Sequence, residues 1–208
     1  YSADLGGKSS TAIDRARLEG DALVERETIF TGNNPARSGH HFGCRLQMAG
    51  GYLFAGIGDR GDRHNAQDPA AHAGSILRLN PDGTVPDDNP HAAGQADGWA
   101  PELYSIGHRN PQGMALHPRT GEIWTHEHGP RGGDEINILR PDRDAGANYG
   151  WPKVSHGREY ATGLRVSRHD SLPGYVDPVW VWIPSIAPSG MAFYPCLLYT
   201  SPSPRDTA

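Results

Sequence analysis

The chain has 208 residues, of which 27 are glycine, 18 are proline and 36% are hydrophobic, so we expect many turns and few long helices. Its 19 Lys and Arg against 24 Asp and Glu give a formal net charge of −5 without a basic stripe, which argues against a nucleic-acid partner. No apolar run reaches the roughly 20 residues that a membrane-spanning helix needs. The two cysteines, Cys44 and Cys196, give no disulfide framework.

Short strands joined by tight turns are predicted along the chain. Residues 45–48 and 52–58 flank an Ala-Gly-Gly turn and predict a first hairpin. A further strand at 75–79 ends at an Asn-Pro-Asp-Gly turn. Residues 114–117 and 122–125 flank Pro-Arg-Thr-Gly and predict a second hairpin.

Three segments of similar sequence begin at Gly43, Gly113 and Gly190, separated by 70 and 77 positions. Repetition of short strands and turns predicts an all-β chain that forms part of a β-propeller, with about three blades. A propeller needs at least about four blades to close. We therefore expect the isolated chain to leave apolar blade faces and strand edges unpaired and to aggregate or stay partly unfolded.

The last thirteen residues, 196–208, differ in composition from the rest of the chain. Their sequence, Cys-Leu-Leu-Tyr-Thr-Ser-Pro-Ser-Pro-Arg-Asp-Thr-Ala, resembles a translated sequencing adapter. The alternative is a flexible tail rich in Ser and Pro. We expect a domain at residues 1–195, in which the propeller is incomplete, followed by a non-native tail.

The stretch from Ile106 to Pro152 carries the residues with the most chemistry. Loops between short apolar runs hold Arg109, a pair of histidines and a pair of carboxylates, together with several glycines. Binding groups concentrate on loops carried by a rigid scaffold, so this pattern predicts a site for an anionic ligand and a hard metal ion. His126 and His128 alternate as on one strand, but without a third ligand in register they do not predict zinc.

Taken in order, these motifs resemble those of the soluble quinoprotein aldose and glucose dehydrogenases, and most closely the bacterial aldose sugar dehydrogenase branch. That family has six-bladed β-propellers that use pyrroloquinoline quinone (PQQ) and calcium. The resemblance implies a fragment that lacks the opening blade and about two of the last ones. The matching stretches are 41–46, 53–59, 66–68, 86–90, 109–115, 127–137, 148–152 and 188–194.

The resemblance implies that His41 is the general base. Oxidation of an aldose at its anomeric carbon needs a group that takes the hydroxyl proton, and a neutral imidazole is suited to that transfer. His41 precedes Arg45 by the family's four positions, whereas the neighbouring His40 stands where the other branch has Asp. Without the resemblance, either histidine reads as a surface or packing residue.

The resemblance assigns the remaining contacts in three groups. Arg109, Asn110 and Ser185 fall where the family binds PQQ, and a planar guanidinium suits a cofactor with three carboxylates. Gly129 and Pro130 match positions whose main-chain carbonyls bind the cofactor's calcium. Glu135 and Tyr149 match a second, structural calcium site, although about four extra residues separate them. The alternatives are a surface arginine, an ordinary turn and a solvated carboxylate at a strand end.

The implied function is oxidation of an aldose sugar to its lactone with hydride transfer to PQQ. Two alternatives stay open: a sorbosone-type sugar aldehyde as substrate, or a calcium-stabilised propeller that binds without turnover. The family also implies an external electron acceptor, a periplasmic or secreted location, and a possible homodimer. Sugar preference is expected to depend on rim loops 59–72 and 157–173. Since other PQQ contacts of the family lie outside this chain, the chain alone is expected to be inactive.

Overall fold

The computed structural model describes residues 1–91, 94, 98–141 and 144–194, so the expected tail at 196–208 lies outside the described residues. The described chain is all-β, with eleven strands and one short 3-10 helix, Asn65–Gln67. The strands are β1 Ser2–Asp4, β2 Ser9–Glu19, β3 Ala22–Thr31, β4 Leu46–Ala49, β5 Tyr52–Ile57, β6 Ser75–Leu79, β7 Leu103–Ile106, β8 Pro111–Leu116, β9 Ile123–Glu127, β10 Asp134–Leu139 and β11 Trp180–Trp182.

The strands form three antiparallel sheets that follow one another in the sequence. The first sheet has the order β1-β2-β3, the second β4-β5-β6-β7, and the third β8-β9-β10-β11. Four-stranded meanders of this kind are the blades of a propeller. The predicted hairpins are confirmed as β4–β5 and β8–β9, and the strand predicted at 75–79 is β6. The chain is therefore a partial β-propeller of about three blades.

The middle blade is buried on both faces, because successive side chains of a strand point to opposite sides of the sheet. In β5, Leu53, Ala55 and Ile57 pack into a core shared with the first sheet. The intervening Phe54 packs into a second core with side chains of the third sheet. Two apolar layers therefore fix the relative positions of the three blades and of the loops they carry.

The loops that follow β5, β7 and β9 meet at one rim. A Cβ at Gly58, just after β5, would lie 2.1 Å from the carbonyl oxygen of His41, so only glycine lets the segment before β4 come this close. The backbone of His41 itself has a φ of 55°, in the left-handed region. His128 lies just past β9, which ends at Glu127, and so belongs to the loop rather than to the strand with His126. No helix within the described ranges is long and apolar enough to span a bilayer.

Candidate active site

Six of the eight site residues predicted from the sequence line one cavity of about 530 Å³. This volume lies within the range of roughly 300–1,000 Å³ that is usual for cofactor and small-molecule sites. The four contributing segments come from before β4, from between β7 and β8, from between β9 and β10, and from after β11. The six residues are His41, Arg109, Asn110, Gly129, Pro130 and Ser185.

The imidazole of His41 is oriented by a buried carboxylate. Its Nδ1 is hydrogen-bonded to Oδ1 of Asp59, which also accepts the backbone N–H of Gly61 at 2.8 Å. The second oxygen of Asp59 accepts Nε1–H of Trp151 at 2.8 Å. Since an ionised carboxylate can only accept, Nδ1 carries the proton and Nε2 keeps a free lone pair. This is the tautomer that a general base requires.

Arg109 is a buried cation that forms no ion pair with a carboxylate among the described residues. Its Nη1 donates to the carbonyl oxygens of His128, at 2.8 Å, and of Gly129, at 2.7 Å. Its Nε is buried without a partner in the described chain, and its guanidinium lies 5.3 Å from the ring centroid of Trp151. Burial lowers the pKa of Arg109. A buried guanidinium with a spare donor would be stabilised by an anionic ligand in the cavity.

Glu127, at the end of β9, holds the turn that carries Arg109. One carboxylate oxygen accepts the backbone N–H of Arg109 and, at 3.3 Å, that of Asn110. The other is hydrogen-bonded to Nδ1 of His108 at 3.1 Å and to the amide of Asn137 at 3.2 Å. The backbone ahead of β8 is therefore fixed by one side chain from the neighbouring strand.

Asn110 connects the arginine loop to the histidine loop. Its side-chain oxygen accepts the backbone N–H of Gly43 at 3.0 Å, two residues after His41. A Cβ at Gly43 would lie 2.4 Å from the carbonyl oxygen of Pro111, which explains the glycine at the start of this repeat. With its oxygen occupied in this way, the amide NH₂ of Asn110 is the group left for a ligand.

The loop between β9 and β10 is held by the buried carboxylate of Asp134. One of its oxygens accepts the N–H of Gly129 and the hydroxyl of Ser185, both at 2.9 Å. The other accepts the backbone N–H groups of Ile186, at 2.9 Å, and Ala187, at 2.7 Å. Ser185 thus donates its hydrogen within the protein, and only its lone pairs remain for a ligand.

The carbonyl groups of Gly129 and Pro130 are the hard oxygen donors on this wall. The first accepts from Arg109, and the second lies 3.3 Å from the hydroxyl of Ser185. No cluster of three or more His, Cys, Asp or Glu side chains in the described chain could hold a metal ion. Main-chain carbonyl oxygens are among the hard donors that calcium takes, together with oxygens of a bound ligand.

Glu135 and Tyr149, predicted as a second calcium site, lie outside this cavity. Glu135 on β10 pairs in register with Glu127 on β9, and the two line a separate small cavity. Burial, with the nearby charge of Glu127, raises the pKa of Glu135 well above its usual value. The ring of Tyr149 stacks on His108 at 4.6 Å, and its hydroxyl donates to the carbonyl of Ile138 at 2.9 Å. Glu127 therefore lies opposite Glu135 and is hydrogen-bonded to His108, which in turn stacks on Tyr149.

Several cavity residues were not singled out from the sequence. Asp59 lies in one of the stretches that match the family and in the rim loop 59–72, but no role was assigned to it. Its position as a carboxylate just after a buried strand could have indicated a site residue. Arg63, Trp151, Glu159 and Tyr160 line the cavity through contacts between segments far apart in the chain. Asp134, which also lines it, is one of the pair of carboxylates noted in the sequence. Trp180 and Trp182, the end residues of β11, do not line this cavity.

The fold and the cavity can be compared with known proteins. A sequence profile described as Glucose / Sorbosone dehydrogenase matches residues 1–201. The aldose sugar dehydrogenase YliI of Escherichia coli strain K12 is 42% identical over 193 residues, which cover 90% of this chain and 50% of that protein.

Two solved structures agree with this match. The apo-form of the soluble aldose sugar dehydrogenase from Escherichia coli has a TM-score of 0.86 at 40% identity, over 93% of this chain and 56% of that one. The PQQ-bound aldose sugar dehydrogenase from Streptomyces coelicolor has a TM-score of 0.67 at 29% identity, over 92% and 51%. The chain spans about half the length of these relatives. By its sequence profile and its propeller blades, it belongs to the glucose/sorbosone dehydrogenase family.

Proposed function

We propose that the protein containing this chain oxidises aldose sugars at the anomeric carbon to lactones, with PQQ as hydride acceptor. The observation that carries the proposal is that an oriented imidazole and a buried guanidinium face the same cavity, and that this guanidinium has no carboxylate partner in the part of the chain that the structure describes. It is supported by the relative named aldose sugar dehydrogenase and by the structural relative described as PQQ-bound.

The cavity fits PQQ by the chemistry of its donors. Arg109 and the amide of Asn110 would bind carboxylate or quinone oxygens, and Ser185 would accept from a donor of the cofactor. The carbonyls of Gly129 and Pro130 would bind a calcium ion together with oxygens of the cofactor. When bound, PQQ supplies the acceptor for the hydrogen and the two electrons that leave the sugar.

His41 would perform the proton transfer. Its Nε2 takes the proton of the anomeric hydroxyl, and the oxygen left behind becomes the carbonyl oxygen of the lactone. The carboxylate of Asp59 stabilises the imidazolium that forms, while Trp151 and Gly61 hold this carboxylate in place. Arg109, at the inner wall, stabilises the negative charge that develops on the accepting side.

Glu135 and Tyr149 would contribute to a structural calcium site beside the cavity. The support is the pairing of Glu127 and Glu135 on neighbouring strands, because two nearby carboxylates favour a bound cation. A calcium ion there would stabilise the end of β9, and with it the turn that Glu127 holds.

Two other functions would use the same cavity. A sorbosone-type sugar aldehyde would use the same His41 and the same cofactor contacts, and the family description includes such enzymes. A calcium-stabilised propeller that binds a ligand without turnover would need the binding groups of the cavity walls but no general base. The proposal also includes an external electron acceptor, a periplasmic or secreted location by analogy with the family, and a possible homodimer.

The test uses the complete protein reconstituted with PQQ and calcium, and follows dye reduction by several aldoses. We expect His41→Ala to abolish turnover while PQQ binding is retained, and the exposed His64→Ala to serve as the matched control. If His40→Ala abolishes turnover and His41→Ala does not, the assignment of the base is wrong. Stoichiometric PQQ binding without aldose oxidation would favour the sugar-aldehyde substrate, and no PQQ binding would favour the binding module.

A further inference from the structure

An ion pair at the mouth of the cavity joins the two rim loops. Nη1 and Nη2 of Arg63 donate to the two carboxylate oxygens of Glu159 at 2.7 and 3.1 Å, across a sequence separation of 96 residues. Both side chains line the cavity beside Tyr160. The side chains of the pair are 39% and 34% exposed, whereas Arg109 is only 6% exposed, so the pair lies nearer the open side than Arg109 does.

The two loops are held firmly near the proposed chemistry. Gln67 donates to the side chain of Asn148 at 3.0 Å and to the carbonyl of Trp151 at 2.7 Å, which fixes the loop of Arg63. Arg158, beside Glu159, exchanges two backbone hydrogen bonds of 3.0 Å with Arg131, in the loop that carries Gly129 and Pro130. The ion pair therefore keeps a set position relative to the cavity wall.

The pair has the chemistry of a binding surface for hydroxyl groups. A guanidinium has five N–H groups and a carboxylate about four lone-pair sites, so both partners retain free donors or acceptors after pairing. Sugar hydroxyls donate and accept, and a pair without net charge can serve both needs. The mutual hydrogen bond raises the pKa of Arg63 and lowers that of Glu159, which favours the charged form of each.

Stability alone is a weak reason for this pair. The side chains of Arg63 and Glu159 are 39% and 34% exposed. Ion pairs exposed to this extent contribute little to the free energy of unfolding. Two aromatic side chains lie beside it: the exposed ring of Tyr160 and that of Trp151, whose centroid is 5.6 Å from the guanidinium of Arg63. Aromatic surface next to planar polar groups suits the C–H face and the hydroxyl edge of a pyranose.

We infer that Arg63 and Glu159 determine substrate specificity by binding hydroxyl groups of an uncharged aldose at the cavity mouth. The inference rests on the proposed function and adds the substrate class to it. A sugar with its own carboxylate reaches the free N–H groups of Arg63 only beside the carboxylate of Glu159, and this contact between like charges costs binding free energy. Neutral aldoses are therefore preferred over sugar acids.

The test compares glucose with glucuronate, which share the anomeric centre but differ in charge, using the complete PQQ-loaded protein. We expect Arg63→Gln and Glu159→Gln each to raise the KM for glucose about tenfold, as the loss of one or two hydrogen bonds implies, with kcat within about twofold. Glu159→Gln should also lower the KM for glucuronate, because it frees Arg63 to bind the carboxylate. Arg63→Gln should not do so.

The control is Arg15→Gln, which breaks an exposed ion pair with Glu27 on the first sheet, away from the cavity, and should change neither KM. PQQ affinity, measured by titration of the cofactor-free protein, should be the same in all variants. Unchanged KM values in both rim variants, or a loss of PQQ affinity, would overturn the inference. A wild type that binds PQQ yet oxidises neither sugar would instead refute the proposed function on which it rests.

Discussion

Replacement of Asp59 by Asn tests whether this carboxylate sets the state of His41. The change keeps the size of the side chain but exchanges one acceptor oxygen for an NH₂ donor. One oxygen of Asp59 serves His41 and Gly61, and the other serves Trp151. In either orientation the new amide places a donor against a backbone or indole N–H, both of which can only donate, so one hydrogen bond is lost.

The expected effects follow from these contacts. A buried donor without an acceptor costs about 1–3 kcal/mol of unfolding free energy. Loss of the charge that stabilises the imidazolium lowers kcat about 10²-fold, and an inverted tautomer of His41 lowers it about 10⁴-fold. We therefore expect Asp59→Asn to reduce kcat by about 10²–10⁴ with PQQ affinity retained.

The assay combines dye reduction with nitrogen NMR of the His41 ring, which reports the protonated nitrogen directly. Asp62→Asn is the control, because Asp62 is an exposed carboxylate of the same loop. A kcat of Asp59→Asn within about tenfold of the wild type, with the ring proton still on Nδ1, would refute the role of Asp59.

Three further predictions concern the walls of the cavity and the core. Arg109→Lys loses the planar fork and should weaken PQQ binding about 10–100-fold in a fluorescence titration; equal affinity would contradict the assignment. Gly58→Ala, with its Cβ 2.1 Å from the carbonyl oxygen of His41, should lower the urea-unfolding free energy by about 1–3 kcal/mol, whereas an unchanged value would show that the backbone can shift. The hydrogen bond from His72 lowers the pKa of Glu102 below its ordinary value of 4.5, so its contribution is present above that pH and lost as the pH falls through the lowered pKa. Glu102→Gln should thus destabilise the protein by about 1 kcal/mol at pH 7, and the loss should shrink as the pH falls below 4.5; a loss of equal size across an acid titration would contradict this.

Five of the eleven strands in the described residues, β4, β5, β6, β8 and β9, could be predicted because their signals are local. Glycine-containing turns join β4 to β5 and β8 to β9, and an Asn-Pro-Asp-Gly turn follows β6. These turns are recognised from adjacent residues alone. The loops of the candidate site were located by the same turn residues and by the family resemblance. These features depend on neighbours within a few positions, which a single sequence contains.

The hydrogen bonds that organise the site could not be predicted in this way. Asp59 is 18 positions from His41, and their contact depends on the close backbone approach that Gly58 permits. Ser185 was expected to bond a cofactor, but its hydroxyl donates to Asp134, 51 positions earlier. These hydrogen-bond partners are brought together by the packing of one blade against another. The hydrophobic pattern of a strand does not specify which loops come into contact.

The distribution of buried surface gives a physical reason for the expected instability of the isolated chain. The middle blade has an apolar core on each face, whereas the third blade shares a core with the second alone within the described residues. β4 and β8 lie side by side, yet Leu46, Met48 and Leu116 on them remain 37–48% exposed. Blades of a propeller are normally covered on both faces by neighbours around a ring. Ser185 and Ile186, which belong to the cavity wall, come from the segment after β11 in the third blade. Contacts that cover the exposed face of the third blade would therefore also stabilise this wall of the cavity.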